Sequence, residues 1–153
     1  AKEMFEAVKA CAEEQDIIIK SAAVADYTPK KKSDEKIKKS DSSMTLELEK
    51  TDDILKYLGE HKRKDQFLCG FSMETENMIQ NSREKLKKKN VDMIVANNLK
   101  QAGAGFGTDT NIITLITEKQ TKQLELMTKE EAAKQILDEI LRCQEEHKKG
   151  KNE

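Results

Sequence analysis

The residues best suited to chemistry in this sequence are two lysines on a predicted helix. Apolar and small side chains recur at helical spacing over residues 77–89, and they place Lys85 and Lys89 on the flank of the buried stripe. The stripe consists of Ile79, Ser82 and Leu86. Two ammonium groups one helical turn apart repel each other, at a cost of about 0.2–0.5 kcal/mol on an isolated helix. A triphosphate that bridges them removes this repulsion, so an anion site is one interpretation; two lysines that extend their charged ends into solvent are the other.

A second candidate site lies where a predicted strand ends. Residues 16–19 are an aspartate followed by three isoleucines, which predicts a short, fully buried strand of a parallel sheet. The segment 22–27 follows directly and contains three alanines. Because open α/β sheets bind ligands at the carboxyl ends of their strands, small residues here would let a ligand approach the backbone, and Asp26 would accept hydrogen bonds from a base or a ribose. A tightly packed corner with Asp26 as a turn residue is the alternative.

Two loops are weaker candidates. Residues 36–39 place three lysines in a polar loop, where a mobile lysine such as Lys36 would neutralise charge that develops on a phosphate or an acyl phosphate. A solvated basic loop, balanced by Asp34 and Glu35, explains the same residues. The glycine-rich run 103–107 lacks the spacing of a phosphate-binding loop, and we interpret it as a flexible connection.

The cysteines and histidines form no catalytic or metal-binding pattern. Cys11, Cys69 and Cys143 are far apart in apolar stretches, so we expect buried free thiols in a reducing cytoplasm. His61 and His147 lie in charged segments without a visible Ser, Cys or carboxylate partner, which argues against a hydrolytic triad. The balance of 28 basic and 29 acidic residues provides no field that would attract nucleic acid or an acidic membrane. No run is apolar enough to predict a membrane span or a signal peptide.

The elements that must position these residues alternate between helix and strand. Helices are predicted over residues 2–14, 51–59, 77–89 and from 128 onward; strands are predicted over 16–19, 44–49, 67–71, 91–96, 112–116 and 124–126. Strict alternation at 44–49 predicts a strand with one solvent face, and the last two strands predict a hairpin. Thr51 is expected to cap the second helix, while Thr128 and Glu131 form a capping box for the last. The pattern predicts an α/β protein: a three-layer α/β/α fold with a mainly parallel, Rossmann-like sheet plus a β-hairpin.

Taken together and in order, six motifs resemble the phosphopantothenoylcysteine synthetase (phosphopantothenate–cysteine ligase) domain at the C-terminal end of the bacterial bifunctional coenzyme A biosynthesis flavoprotein. The motifs are SAAVADY at 21–27, KIKK at 36–39, KTDDIL at 50–55, GFSMET at 70–75, DMIVANN at 92–98 and GFGTD at 105–109. The resemblance implies a synthetase domain over residues 1–147, followed by a charged tail at 148–153.

What the resemblance implies about activity is the CTP-dependent ligation of 4′-phosphopantothenate to L-cysteine in coenzyme A biosynthesis. Such enzymes turn the carboxylate of 4′-phosphopantothenate into an acyl-cytidylate and release pyrophosphate. The cysteine amine then attacks the acyl group and CMP leaves. The family also implies Mg²⁺ bound with CTP, a homodimer and a cytoplasmic location. We expect no FMN, no nucleic acid and no membrane as partners.

The resemblance also assigns roles to individual residues. The backbone at Lys20 would contact the base, Lys36 would be the catalytic lysine, and Phe71 would pack on the nucleotide. Lys85 and Lys89 would hold the triphosphate, in agreement with their position on the predicted helix. The nucleotide-binding residues implied are Lys20, Asp26, Lys36, Asp52, Asp53, Ile54, Leu55, Phe71, Lys85 and Lys89, with no metal ligand assigned.

The sequence departs from the family pattern in two places. Residues 51–53 read Thr-Asp-Asp where family members often carry Asn-Pro-Asp. Family domains also begin with a strand, a glycine-rich turn and an asparagine that contacts the acyl intermediate, none of which precedes Ala1. We therefore expect this chain to be a truncated ligase, from a parent that is either a stand-alone enzyme or fused to a flavin-dependent decarboxylase. A fragment that binds CTP or mediates dimerisation without turnover is the alternative, and a non-catalytic interaction domain is a third.

Overall fold

The computed structural model describes residues 1–38, 43–74, 76–98 and 107–149. The helices are α1 Lys2–Ala12, α2 Ile54–His61, α3 Met78–Lys88 and α4 Lys129–Lys149. The strands are β1 Ile17–Lys20, β2 Tyr27–Pro29, β3 Leu48–Lys50, β4 Phe67–Glu74, β5 Met93–Asn98, β6 Thr110–Asn111, β7 Ile113–Thr117, β8 Thr121–Gln123 and β9 Met127–Thr128. The predicted alternation of helix and strand is confirmed, although β5 begins two residues later than residues 91–96 suggested.

Five of the strands form one mixed sheet in the order β1-β4-β5-β7-β8. β1, β4 and β5 run parallel, whereas β7 pairs antiparallel with β5, and β8 pairs antiparallel with β7. The parallel strands are continuous apolar runs because helices cover both faces of this part of the sheet. The Rossmann-like α/β fold with its hairpin is confirmed. The second strand of the hairpin is Thr121–Gln123, and not residues 124–126 as predicted.

Two apolar cores, one on each face of the sheet, give the fold its three layers. On the face covered by α4, Phe67 and Cys69 share a core with Ile140. On the face covered by α1, α2 and α3, Leu68 packs in a second core with Leu58. Alternate residues of β4 therefore stabilise opposite layers. Burial raises the pKa of the Cys69 thiol to about 12, so this cysteine is an inert core residue.

Three residues that were predicted to be buried are exposed. Ile19 is 38% exposed, and β1 is the last strand on its side of the described sheet. Ile79 is 45% exposed at the edge of the α3 stripe. Cys11 is exposed on α1, whereas the predicted burial of Cys69 and Cys143 is confirmed.

The strands β2 and β3 form a small sheet of their own. The strand predicted over residues 44–49 is reduced to Leu48–Lys50, and all three of its residues are exposed. The prediction of one buried face and one solvent face is wrong, because β3 pairs with β2 in a separate small sheet in which Leu48, Glu49 and Lys50 are all exposed.

The capping box predicted for α4 is present. The Thr128 backbone N–H donates to a carboxylate oxygen of Glu131 at 2.9 Å, and the Glu131 backbone N–H donates to the Thr128 hydroxyl at 3.2 Å. These bonds satisfy two backbone donors that a helix N-terminus would otherwise leave unpaired. The bonds that the Thr128 backbone N–H and hydroxyl donate to the Glu131 carboxylate hold its pKa below the usual value.

Ser82 carries the first testable consequence of the packing. Ser82 is fully buried on the inner face of α3, and within the described ranges its hydroxyl has no hydrogen-bond partner. Because an unpaired buried hydroxyl costs free energy and alanine favours a helix, Ser82→Ala is expected to raise the free energy of unfolding by about 1 kcal/mol. The matched control is Ser72→Ala, since the buried Ser72 hydroxyl donates to Glu74 at 2.9 Å. In urea unfolding, the free energy of unfolding should be highest for Ser82→Ala, intermediate for wild type and lowest for Ser72→Ala. A Ser82→Ala variant less stable than wild type would contradict the assignment of Ser82 as an unpaired hydroxyl.

Candidate functional site

A cleft of about 580 Å³ lies at the carboxyl end of β1 and β4. It brings together most of the residues that the family resemblance assigned to nucleotide binding. The predicted residues that line it are Lys20, Asp26, Asp52, Asp53, Ile54, Leu55, Lys85 and Lys89. These residues come from β1, the segment after it, the start of α2 and the last turns of α3, so the fold assembles the cleft from segments that are distant in sequence.

One threonine joins the two loops that form the mouth of this cleft. The Thr51 hydroxyl donates to the carbonyl oxygen of Ala25 at 2.6 Å, and the Thr51 backbone N–H donates to the carbonyl oxygen of Asp26 at 3.0 Å. These bonds hold the small-residue segment that follows β1 against the residues that precede α2. The prediction that Thr51 caps α2 is wrong, because this threonine bonds across to Ala25 and a later residue takes the capping position.

Asp53 is the N-cap of α2 and also faces the lysines of α3. One of its carboxylate oxygens accepts the backbone N–H of Lys56 at 2.9 Å, and the other accepts the ammonium of Lys89. Burial alone would raise the pKa of the Asp53 carboxyl, but the bonds from Lys89 and Lys56 lower it below its usual value. Asp53 therefore stays ionised and fixes the Lys89 ammonium beside the N-terminus of α2.

Three ammonium groups converge on the cleft. The Lys85 ammonium donates to the carbonyl oxygen of Phe71 at 2.9 Å, and that of Lys20 donates to the carbonyl oxygen of Ala22 at 2.7 Å. Burial lowers the pKa of Lys20, and the positive charge of Lys85 lowers it further. With Lys89, these ammonium groups are cations that phosphate oxygens could bind. Acidic side chains line the same cleft, however: Asp26, Asp52, Asp53 and Glu84. The predicted position of Lys85 and Lys89 on the flank of the α3 stripe is confirmed by their partial burial.

Phe71 occupies a neighbouring position rather than the cleft itself. Its side chain lines a second, more apolar cleft of about 530 Å³, which also contains Asn97, Asn111 and Lys129. The Asn111 side-chain amide donates to the side-chain oxygen of Asn97 at 3.2 Å. The two clefts share Ala22, Ala23 and Met73 as lining residues. A ligand that spans both clefts over these shared residues would contact the lysines at one end and Phe71 at the other. The packing of Phe71 on a nucleotide stays a prediction.

The predicted catalytic lysine is separate from both clefts. Lys36 is exposed, and neither cleft includes it among its lining residues. Residues 39–42, which include the last lysine of the KIKK motif, lie outside the described residues, as do positions 99–106 with most of the glycine-rich run. The role of Lys36 therefore rests on the family resemblance.

Several residues of the cleft were not predicted as ligands. They include Thr51, Met73, Asn81, Glu84 and Lys88. Only the backbone of Lys20 was expected to contribute, and its ammonium bonds to the carbonyl oxygen of Ala22, another residue of the cleft. Asn81 precedes Lys85 by four residues, so the helical spacing that identified the lysines would also have identified Asn81.

The described part of the chain contains no group of three or more His, Cys, Asp or Glu side chains arranged to hold a metal ion. Binding of Mg²⁺ stays a prediction, in which phosphate oxygens of the nucleotide would provide most of the ligands of the ion. Across the same described ranges, no helix combines the length and apolar character needed to span a membrane.

Comparison with known proteins identifies the family. The family model described as the DNA/pantothenate metabolism flavoprotein C-terminal domain matches residues 1–143, and the chain therefore belongs to this family. Among individual proteins, the coenzyme A biosynthesis bifunctional protein CoaBC of Bacillus subtilis is 50% identical over 141 residues, which cover 92% of this chain and 34% of that protein. The CoaBC protein of Borreliella burgdorferi is 41% identical over 139 residues, or 90% of this chain and 35% of that protein.

Solved structures agree with this assignment. The crystal structure of the C-terminal domain of a CoaBC protein matches with a TM-score of 0.75 and 39% identity, over 95% of this chain and 63% of that chain. The DNA/pantothenate metabolism flavoprotein from Streptococcus pneumoniae matches with a TM-score of 0.76 and 25% identity, over 93% of this chain and 69% of that chain. The chain spans about a third of the length of the curated relatives that it matches.

Proposed function

We propose that this chain provides the nucleotide cleft of a phosphopantothenate–cysteine ligase that uses CTP. The observation that carries the proposal is the convergence of Lys20, Lys85 and Lys89 with the N-terminus of α2 on one cleft at the carboxyl edge of the sheet. A triphosphate has the opposite charge, and helix N-termini and lysines are its usual protein ligands. Relatives named as coenzyme A biosynthesis proteins support the same reaction class.

The proposed chemistry has two steps. A carboxylate oxygen of 4′-phosphopantothenate attacks the α-phosphorus of CTP, and the bond from that phosphorus to the bridging oxygen breaks to release pyrophosphate. The amine of L-cysteine then attacks the acyl carbon of the acyl-cytidylate and loses a proton, and CMP leaves with the electrons of the broken C–O bond. Both leaving groups carry negative charge, so catalysis requires positive groups that are already in position.

The cleft residues suit the first step. Lys85 and Lys89 would neutralise the charge that develops on the departing pyrophosphate. An ammonium has three N–H donors, so Lys89 can keep Asp53 and also bind a phosphate oxygen. Lys36 would act at the reacting phosphate and carboxylate, reaching them from its exposed loop. Mg²⁺ bound by the triphosphate would contribute further positive charge.

Homodimerisation is part of the proposal. Exposed apolar side chains cluster on β3 and on the segment that leads into it, where Met44, Leu46 and Leu48 are 68%, 56% and 51% exposed. Tyr27, on the paired strand β2, is 53% exposed. Contiguous exposed apolar surface is typical of a protein contact, and sedimentation at several concentrations measures whether the chain self-associates.

Calorimetric titration with CTP, ATP and UTP, followed by an assay for pyrophosphate and phosphopantothenoylcysteine, tests the function. We expect CTP to bind weakly, and we expect little or no product from this chain alone. CTP binding with little product is the result that both the ligase cleft and the alternative of a CTP-binding fragment predict, whereas robust product formation would establish the ligase and refute the expected inactivity. A chain that binds none of the three nucleotides would overturn the assignment of the cleft.

Lys36 is tested in a full-length CoaBC-type protein that contains this domain. Lys36→Gln is expected to reduce pyrophosphate release from CTP and 4′-phosphopantothenate by about 100-fold or more, because one positive charge at the reacting phosphate is lost. Lys31→Gln, in the same exposed loop, is the matched control and should retain near-normal activity. Thermal unfolding should be unchanged in both variants. Near-normal turnover in Lys36→Gln would show that this lysine is not catalytic.

A further inference from the structure

The side chain of Asn81 is held in one orientation at the edge of the nucleotide cleft. Its amide nitrogen donates to a carboxylate oxygen of Glu74 at 3.1 Å and to the backbone carbonyl oxygen of Glu76 at 3.1 Å. Both partners are acceptors, so rotating the amide by half a turn would place its oxygen against a carboxylate and a carbonyl. That arrangement is repulsive, and the chemistry of the partners therefore fixes which end of the amide faces away from them.

The core of the protein fixes Glu74 in turn. The Ser72 hydroxyl, on a side chain that is 1% exposed, donates to the other carboxylate oxygen of Glu74 at 2.9 Å. Ser72 and Glu74 are both on β4, which is paired with a strand on each side. The orientation of the Asn81 amide is thus set by a chain of hydrogen bonds that begins inside the sheet.

With both N–H bonds of its amide already used, Asn81 can offer only its amide oxygen to the cleft. That oxygen is an acceptor and cannot bind a phosphate oxygen, which is also an acceptor. Asn81 lies one helical turn before Lys85 and two turns before Lys89, and all three line the cleft. Glu84 and Lys88 line it as well, so the acceptors of α3 lie toward the start of this face and its cations toward the end.

We propose that Asn81 binds a hydrogen-bond donor of the nucleoside, either the amino group of the base or a ribose hydroxyl, while Lys85 and Lys89 bind the phosphates. This inference rests on the proposed function, since it needs a nucleotide in the cleft. It assigns a direction to the ligand along α3, with the nucleoside toward the start of the helix and the phosphates toward its end. Glu74 acts as a positioning residue, because it touches Asn81 and does not line the cleft.

The experiment compares wild type, Asn81→Leu, Glu74→Gln and Gln80→Leu by titration with CTP, UTP, 2′-deoxyCTP and inorganic triphosphate. Gln80 is the matched control because it is exposed on α3, next to Asn81, and does not line the cleft; its amide donates to Glu84 at 3.3 Å, so this control also measures the effect of releasing that cleft residue. Asn81→Leu is expected to weaken CTP binding about 3- to 10-fold, the usual effect of one hydrogen bond, and to leave inorganic triphosphate binding unchanged. In Glu74→Gln the new amide can donate to Asn81, which permits the Asn81 amide to turn, so a smaller loss of the same kind is expected.

The pattern across ligands identifies the donor. A loss for CTP but not UTP indicates the base amino group. A loss for CTP and UTP but not 2′-deoxyCTP indicates the 2′-hydroxyl, and a loss for all three nucleotides, with triphosphate unchanged, indicates the 3′-hydroxyl. An equal loss for inorganic triphosphate, or no loss for any ligand, would overturn the inference about Asn81 while leaving the proposed function intact. Absence of nucleotide binding in the wild type would overturn both.

Discussion

Replacing Gly59 with alanine is expected to destabilise the protein by about 3 kcal/mol or more and to disrupt the lysine end of the cleft. A β-carbon at this position would overlap the carbonyl oxygen of Lys89 and lie 2.9 Å from its carbonyl carbon and 3.2 Å from the carbonyl oxygen of Asn90. All of these atoms are backbone, so no side-chain rotation relieves the overlap. Helix α2 would have to move away from the end of α3, and overpacking of this kind costs about 1–3 kcal/mol even where side chains can yield.

The same contact connects stability with function. The Asn90 side-chain amide donates to the carbonyl oxygen of Gly59 at 2.7 Å, and Asn90 has a φ of 50° where the chain leaves α3. Moving α2 therefore also moves Asp53 at its N-terminus away from Lys89. We expect Gly59→Ala to lose CTP binding under conditions in which the protein is still largely folded.

Urea unfolding and CTP titration measure the two effects of Gly59→Ala. Glu60→Ala is the matched control, because Glu60 is the next residue of α2 and is exposed. Gly70→Ala provides a graded comparison: its β-carbon would meet the side-chain methyl groups of Leu55 and Ile94 at 2.7 Å and 3.2 Å, and these can shift. Equal stability of Gly59→Ala and Glu60→Ala would show that the α2–α3 contact does not constrain the fold.

Local periodicity was sufficient to predict the helices, the parallel strands and the lysine pair, but it misplaced the second hairpin strand and the strand at 44–49. The apolar runs of β4 and β5 and the helical spacing of α3 are properties of short segments, so they are visible in the sequence. Ser82 and Leu86 are buried as that spacing requires. The position of Lys85 and Lys89 follows from the same geometry, without any contact beyond the helix.

The details of the site depend on contacts between distant segments, which periodicity does not contain. Thr51 satisfies the rules for an N-cap, but its hydroxyl bonds to Ala25, 26 residues away, and Asp53 caps α2 instead. Lys20 is the last residue of a strand, and the fold places it with Lys85 of α3 in one cleft. The orientation of the Asn81 side-chain amide is fixed by its hydrogen bond to Glu74, which lies on β4. Each of these depends on a partner that the sequence alone does not specify.

Replacing both Lys85 and Lys89 with glutamine is expected to weaken CTP binding by about 100-fold or more. A hydrogen bond to a charged group contributes about 1.5–3 kcal/mol, so each lysine accounts for roughly a factor of ten or more. The remaining affinity should depend less on salt, because fewer positive charges face the phosphates. Lys87→Gln is the matched control: it removes the same charge from the same helix at an exposed position outside the cleft.

The single variants separate phosphate binding from structure. Lys89→Gln also removes the ion pair with Asp53, which leaves that carboxylate to repel a phosphate, whereas Lys85→Gln removes only a bond to the carbonyl oxygen of Phe71. We therefore expect Lys89→Gln to lose more CTP affinity than Lys85→Gln. Adding Asp53→Asn to Lys89→Gln is expected to recover part of that affinity, since asparagine also caps a helix and carries no charge. Titration with CTP at two salt concentrations compares the affinities of wild type, Lys85→Gln, Lys89→Gln and the double variant Lys89→Gln/Asp53→Asn. If Asp53→Asn fails to improve binding in the Lys89→Gln background, Asp53 serves the cap alone and the phosphates lie closer to Lys85.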